Sequence, residues 1–442
     1  MLYTAFISFL TVMQGVFAST WFETLWRFIP FAIFLELPLF LTVMFGIVRY
    51  AIVQNAAPAH VPRRFPKVSC VITCYSEGLD VQRTIASLVT QNYPGDIEII
   101  PVIDGSRQNL DTWSAARECQ EMADRTPQRR LIVLPKWQRG GRVSSLNSGA
   151  MIATGEIIMA LDGDTSFDND MVYRAAAHFL DPGVIAVSGD LRVRNAAASL
   201  ITRLQAVEYL VSISGGKTGL AEFGIINNIS GAFGIFRAGI LRHVLGWDAG
   251  TAEDLDMTQR LKQLCSQHRG LRIVFDPRVI GHTDAPPTFA EFFWQRVRWD
   301  GDLFYIYFRK YGKNLRPALL GWPNFFSHLV GGVLFQLVMP FMIIIYMGVL
   351  LWRYDTGIIL GILAFVYLVY FLFLTILFTA FWLLVSERPK SDALYFLFLP
   401  IYPLYGLVSR FVAAIGILNE IVNRGHLDSA MAPWWVLRKT KF

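Results

Sequence analysis

Long uncharged runs crowd the two ends of the chain and are missing from its middle, and this distribution limits the folds open to it. Nearly all of them fall within residues 1–50 and 320–418. A bilayer core requires about 20 apolar residues per helix, and segments 28–50, 325–352 and 357–385 each provide a run of that order. These three are predicted to span a membrane, and the shorter run 2–18 is predicted to be a further helix. "GVFAS" offers small residues where a signal peptide could be cut, but no Lys or Arg precedes the run and a second span follows. Retention of the first helix is therefore expected. The charged stretches "WRYDT" (352–356) and "SERPKSD" (386–392) make the two long C-terminal spans into a hairpin. The last run, 393–418, is interrupted by Pro400, Pro403 and Arg410, so it is compatible with a crossing, a re-entrant or an interfacial helix. The positive-inside rule favours a cytosolic tail.

Composition agrees with a membrane protein. Of 442 residues, 54% are hydrophobic and 17% charged, with a mean hydropathy of +0.41, which an ordinary soluble globule does not reach. The net charge of +6 is spread thinly, with "PRRFPK" at 62–67 beside an apolar run and "RKTK" near the C-terminus. That placement suits anionic lipid and gives no footprint for nucleic acid. Cys70, Cys74, Cys119 and Cys265 all lie in the middle block without metal-ligand spacing, and they read as reduced core residues of a cytosolic domain.

The middle block, long enough to bury a core of its own, alternates β-branched runs such as "VSCVIT", "IEIIPVID", "EIIMALD" and "VIAVS" with amphipathic segments. Near-continuous apolar strands separated by helices predict a parallel sheet covered on both faces. Ligands of such sheets bind beyond the carboxyl ends of the strands. Asp104 ends one strand and Asp162 another, with Asp164 one residue further on. Two carboxylates so placed suit Mg2+ or Mn2+, which take oxygen ligands together with substrate phosphates, although Asp-Gly-Asp triplets also serve as plain turns.

Three more elements follow in a particular order: "NISGAFGIFR" (228–237), "WDAGTAEDLDMTQRL" (247–261) and "FFWQRVRW" (292–299). Together with "DGD" they resemble the membrane-integrated, processive family 2 glycosyltransferases, which include the synthases of cellulose, chitin, hyaluronan and poly-N-acetylglucosamine. The resemblance runs from about residue 66 to 310, and its most specific marks are Gln295, Arg298 and Trp299 (Q-x-x-R-W) and the pair Glu253-Asp254. It implies an α/β GT-A (Rossmann-like) cytosolic domain over 55–287, inserted between α-helical transmembrane segments. The other divisions expected are N-terminal transmembrane helices at 1–54, interface helices at 288–322, C-terminal transmembrane helices at 323–418, and a basic tail at 419–442.

The resemblance also implies roles. Tyr75, Glu77 and Asp104 look like the nucleotide pocket, with an aromatic face for uracil and carboxylates for its ring N–H or the ribose hydroxyls; without the rest they read as a strand end with turn residues. Arg142, where the family carries Lys, could contact the diphosphate or remain a solvated arginine. Asp162 and Asp164 would hold the divalent cation that bridges the phosphates of a UDP-sugar. Asp254, beside Glu253, would be the general base toward the acceptor hydroxyl, giving inversion; Ala252 stands where the family usually has Thr. Their alternative is the acidic first turn of a helix. Gly231 and Arg237 resemble the acceptor-side wall, or else belong to a buried strand. Gln295 and Arg298 share a helix face that could grip the diphosphate, and Trp299 could stack on the acceptor's terminal sugar; the plain reading is an amphipathic membrane-surface helix. His282 precedes that helix in "VIGHTDAPPTF", where a capping or loop histidine is expected. Glu36, within a span, is expected to face protein or water.

The leading expectation is thus an inner- or plasma-membrane enzyme that polymerises a UDP-sugar (UDP-Glc or UDP-GlcNAc) on its cytosolic face. It would pass the growing polysaccharide across the bilayer, in contact with membrane lipid and with accessory export subunits where a further barrier exists. Transfer of one sugar to a lipid acceptor is the alternative within the same chemistry. A transporter with a nucleotide-sensing domain would explain the spans, but not Asp254 followed by Q-x-x-R-W.

Overall fold

The computed structural model describes residues 36–56 and 64–427. The expected helix 2–18, the start of span 28–50, the possible cleavage point and the basic tail end lie outside these residues.

The first described helix, α1 (Leu37–Ala56), is followed by strand β1 (Val68–Cys74), α2 (Asp80–Val89) and β2 (Ile97–Ile103). Every residue of β1 and β2 is buried, as continuous apolar strands between helices must be. In α2 the buried Val81, Thr84, Ile85, Leu88 and Val89 recur at helical spacing and form the face that packs on the sheet. Next come β3 (Arg129–Leu131), β4 (Leu134–Pro135), α3 (Gly141–Ile152), β5 (Ile157–Asp162), β6 (Ser166–Phe167) and β7 (Val184–Val193). The block closes with β8 (Phe233–Arg237), α4 (Glu253–Gln267) and β9 (Arg272–Thr283).

The strands form one sheet in the order β3-β2-β1-β5-β8-β7-β9-β6, with β4 paired to β2. It is not all parallel. β1, β2, β3, β4 and β5 pair in parallel, but β8 lies between β5 and β7 and runs antiparallel to both. Apolar patterning reports burial and is blind to strand direction, which is why a uniformly parallel sheet was the natural expectation. The reversal decides where β8 presents its residues. Phe233 pairs with Leu161 at the carboxyl end of β5, while Arg237 pairs with Ile157 at the opposite end.

After the sheet, α5 (Phe289–Phe304) carries the Q-x-x-R-W residues, with Thr288 Oγ1 accepting from Glu291 N–H at its start. Then follow the apolar helices α6 (Trp322–Arg353), α7 (Thr356–Leu384) and α8 (Tyr402–Asn423). Among the described residues α1, α6, α7 and α8 are long and apolar enough to cross a membrane, and at most 39% of any of their most apolar windows is buried within the protein. The remaining apolar surface is suited to a bilayer. The run from 393 therefore resolves into a turn of 3-10 helix, Ala393–Phe398, and a helix of 22 residues that starts beyond Pro400.

Helix α5 lies against α8 at close range. A Cβ on Gly416 would stand 2.9 Å from Val297 O, and one on Gly301 would stand 3.6 Å from Gly416 O. Small residues permit this approach. Gly416→Val should separate the two helices, reduce thermal stability in detergent by about 1–3 kcal/mol and shift the Q-x-x-R-W side chains; a melting curve together with an activity assay would check both effects.

Candidate active site

The carboxyl ends of β1, β2 and β5, the start of β8, the first turns of α3 and α4, and one face of α5 surround a single cavity of about 2310 Å³ that continues between α1, α6, α7 and α8. Tyr75, Glu77, Asp104, Arg142, Asp162 and Asp164 line its donor-side wall. Gly231, Glu253, Asp254, Gln295, Arg298 and Trp299 line the other. Residues spread over more than 220 positions of sequence thus face one space.

Arg142 is the centre of the arrangement and no surface residue. It projects from the first turn of α3, where Gly141 turns the chain at φ 74°, a conformation that favours glycine. Its Nε donates to Glu253 Oε1 (2.5 Å), its Nη1 to Asp162 and to Thr73 Oγ1 (2.9 Å), and its Nη2 to the carbonyl of Gly231. One guanidinium therefore joins the strand-end carboxylate to the acidic pair of α4. Burial pushes the Glu253 carboxyl up from its usual range, and Arg142 opposes that shift.

Asp254 sits in the first turn of α4, where the helix N-terminus favours negative charge. Its Oδ2 accepts from Gly231 N–H (3.2 Å) and Asn228 Nδ2 (3.2 Å), and its Oδ1 from Leu255 N–H (2.7 Å). Gly231 eases this approach, because a Cβ there would crowd Glu253 Oε1 at 3.1 Å and touch Asp254 Cβ at 3.5 Å. These three donors fix the carboxyl of Asp254, which lines the cavity.

On the donor side, the Tyr75 hydroxyl and Glu77 Oε2 are shielded from solvent and without hydrogen-bond partners in the described structure. Burial raises the Glu77 carboxyl to about 7. Unsatisfied polar atoms at a cavity wall are where a polar ligand is accommodated, and both belong to the expected nucleotide pocket. The guanidinium of Arg139 covers one face of the Tyr75 ring at 4.1 Å.

One expected contact, that of Arg237, is corrected, and Asp104 has a further task. Asp104 does line the cavity, but its Oδ1 accepts from Lys136 Nζ (2.8 Å) and Gly140 N–H (2.9 Å), and its Oδ2 from Gly141 N–H (2.8 Å). Both oxygens hold the N-terminus of α3, so Asp104 positions Arg142 and has little capacity left for a ribose or base. Arg237 is not in the cavity at all. At the far end of antiparallel β8 its guanidinium donates to the carbonyls of Phe179, Asp181 and Val184. His282 is likewise structural, on β9, with Nε2 2.8 Å from Asp168 Oδ1.

The α5 residues divide between cavity and anchor. Gln295, Arg298 and Trp299 reach the cavity, and Gln295 Oε1 has no partner. Arg296, between them, forms a fork with Glu208 (2.7 and 2.6 Å), whose Oε2 also accepts from Tyr405 of α8 (2.5 Å). Its guanidinium stacks 4.6 Å from the centroid of Trp299. Asp302, one turn further, is buried and accepts from Thr251 Oγ1 (2.5 Å). Desolvation raises its carboxyl from 3.8 to about 7. Between those values the folded protein retains a proton that the unfolded chain has lost, so stability falls as pH rises through this window. Asp302→Asn should therefore melt about 2–4 °C higher than the wild type at pH 8, a gain of order 1 kcal/mol, and the difference should vanish below pH 4.

Thr73, Lys136, Lys217 and Lys262 also line or brace the cavity and carried no sequence signal, being single polar residues within strands, loops or helices.

Asp162 ends β5 and Asp164 lies on the turn after it, both lining the cavity, Asp164 with its carboxyl raised by desolvation. Among the described residues no third His, Cys, Asp or Glu completes a ligand cluster with them. Two oxygen donors open to a ligand cavity fit a hard cation that takes its other ligands from phosphate and water, as Mg2+ and Mn2+ do. The guanidinium of Arg142 supplies positive charge to Asp162.

A family model described as "Glycosyl transferase family 2" matches residues 69–245. Poly-beta-1,6-N-acetyl-D-glucosamine synthase of Staphylococcus epidermidis is 31% identical over 234 residues, which are 52% of this chain and 53% of the relative. The enzyme of that name from Staphylococcus aureus strain COL is 30% identical over the same length. The match thus spans about half the length of these curated relatives. Among solved structures, the mannosyltransferase PcManGT from Pyrobaculum calidifontis, in complex with GDP-Man and Mn2+, superimposes with a TM-score of 0.55 at 17% identity, covering 89% of this chain and 98% of that one. At that identity the likeness shows fold alone, and the fold is of GT-A type, as the sequence resemblance implied.

Proposed function

We propose, from the match of residues 69–245 to the family 2 glycosyltransferase model, that the protein is an inverting β-glycosyltransferase. It polymerises a UDP-activated sugar, N-acetylglucosamine before glucose, at the cytosolic face of a membrane and passes the product between its apolar helices. The observation that carries this reading is the continuity of the cavity. It runs from the Asp162–Asp164 turn, past Asp254 and the Q-x-x-R-W residues, into the space between α1, α6, α7 and α8. The preference for N-acetylglucosamine draws on the names of the two staphylococcal relatives.

In this mechanism Tyr75 and Glu77 receive the nucleoside, whose N–H and O–H donors meet polar atoms that lack partners. Asp162 and Asp164 would hold a divalent cation, which when bound would supply charge neutralisation to the departing diphosphate. Arg142 leaves Asp162 and turns its guanidinium to phosphate oxygens, with Arg298 on the opposite wall. Asp254 takes the proton of the acceptor hydroxyl, the oxygen forms its bond to the anomeric carbon, and the bond to the UDP oxygen breaks on the other face. A single displacement turns an α-linked donor into a β-linked product. Glu253 keeps Arg142 in reach of both halves of the site.

The experiment is incorporation from labelled UDP-GlcNAc, UDP-Glc and other nucleotide sugars by the detergent-purified protein with Mg2+ or Mn2+, followed by sizing of the product. A long polymer from one donor is the expected result. Single-sugar products on added lipid would replace the polymerase by a glycolipid synthase, and failure with every donor, while UDP still binds, would remove the reading.

A further inference from the structure

Two lysines have no task in the transfer just described. Lys217 ends the helical segment Tyr209–Lys217, and Lys262 lies two turns of α4 beyond Asp254. Each is 6% exposed, and both line the cavity. Their ammonium groups donate to consecutive backbone carbonyls, Lys217 Nζ to Asn228 O (2.9 Å) and Lys262 Nζ to Asn227 O (3.3 Å). The two cations therefore sit side by side. Asn228 also gives its side-chain amide to Asp254 Oδ2 (3.2 Å), which places the pair one residue from the proposed base.

Neither lysine has an acidic partner within salt-bridge distance among the described residues, where the lysine ion pairs belong to Lys67, Lys136 and Lys310. Asp190, the other acid near Lys217, is already bonded by Ser214 Oγ (2.8 Å) and faced by Arg192 Nε (3.7 Å). The adjoining wall is formed by His328, whose Nδ1 is 2.9 Å from Gln259 Nε2 and whose ring packs on Tyr307 with centroids 3.6 Å apart. An ammonium has three donors, so each lysine retains two. Buried cations without a counter-charge are costly and are usually paired. Burial lowers Lys217 to about 8, against the opposing pull of Asp254 and Asp190, and burial together with the neighbouring Lys217 lowers Lys262 to about 7.

We propose that Lys217 and Lys262 form an oxyanion subsite on the acceptor side of the cavity, which binds a carboxylate or phosphate carried by the acceptor beside the hydroxyl that Asp254 deprotonates. The proposal rests on the reading of Asp254 as the acceptor-side base. A bridging oxyanion fills the free donors of both ammonium groups with charge-assisted hydrogen bonds. It also holds the acceptor by a group that does not react. A chain of N-acetylglucosamine or glucose carries neither group, so the oxyanion belongs to the primer on which the chain starts, as the carboxylate of an acidic sugar unit or as a phosphate ester.

The test uses the full-length protein in detergent with UDP saturating the donor pocket, titrated with D-glucuronate and with inorganic phosphate at constant ionic strength, chloride serving as control. Thermal shift and tryptophan fluorescence report binding. Saturable binding of one anion is expected, weakened at least tenfold in Lys262→Met and in Lys217→Met. Preference for glucuronate identifies the sugar carboxylate as the source, and preference for phosphate identifies the ester. No saturable effect beyond that of chloride in the wild type overturns the subsite, whether or not the variants fold. So does binding that persists unchanged in the double variant. Anion binding without transfer from any nucleotide sugar would leave the subsite in place and remove the transferase reading, whereas transfer without anion binding would do the reverse.

Discussion

Asp254→Asn should lower turnover by about 10²–10⁴-fold, the usual contribution of a positioned general base, while UDP binding stays within a few-fold of the wild type. The amide preserves the size of the side chain and an oxygen to accept from Gly231 N–H and Asn228 Nδ2. It cannot take a proton. A fall in kcat with an unchanged UDP dissociation constant would separate loss of the base from loss of the pocket. Retained turnover would pass the role to Glu253, whose carboxylate is buried against Arg142 and is less open to an acceptor.

Arg296→Met should be nearly as damaging by a different route. The fork between Arg296 and Glu208 is largely buried, with side-chain exposures of 12% and 20%, and removing one partner of such a pair costs about 3–5 kcal/mol because the other is left desolvated. Tyr405 would remain as the side-chain donor to Glu208, and Trp299 would lose the guanidinium stacked on it. The expected result is a melting temperature lower by several degrees together with loss of transfer, since α5 no longer fixes Gln295, Arg298 and Trp299. Pairing the change with Glu208→Leu should recover much of the stability, because the stranded carboxylate is then gone.

What the sequence made legible follows from what its patterns encode. Apolar periodicity reports burial, so the spans and the strands β1, β2, β5 and β7 could be read directly. The order of Asp-Gly-Asp, Glu-Asp and Q-x-x-R-W indicated which residues would meet, and twelve of the thirteen expected positions line the cavity. Strand direction leaves no trace in composition, and it alone moved Arg237 to the far edge. Asp104 has a task that the sequence did not show. A carboxylate at a strand end looks alike in sequence whether it faces a ligand or caps a neighbouring helix, and here the backbone N–H groups of Gly140 and Gly141 had the prior claim. Lys217 and Lys262 were illegible because only the fold removes their counter-charges.

The loop between α7 and α8 is tied to the catalytic sheet at two places. Asp392 pairs with Arg192 of β7 (2.9 Å) and Arg388 with Asp168 (2.6 Å), while α5 is clasped to α8 from the other side. This double fastening opposes a swing of the sheet relative to the apolar helices. Were the protein the polymerase proposed above, the step length of one sugar would then fall to small parts moving within the cavity, or to the product sliding along a stationary track. The stroke is then set by the polymer's own repeat and not by the travel of a domain.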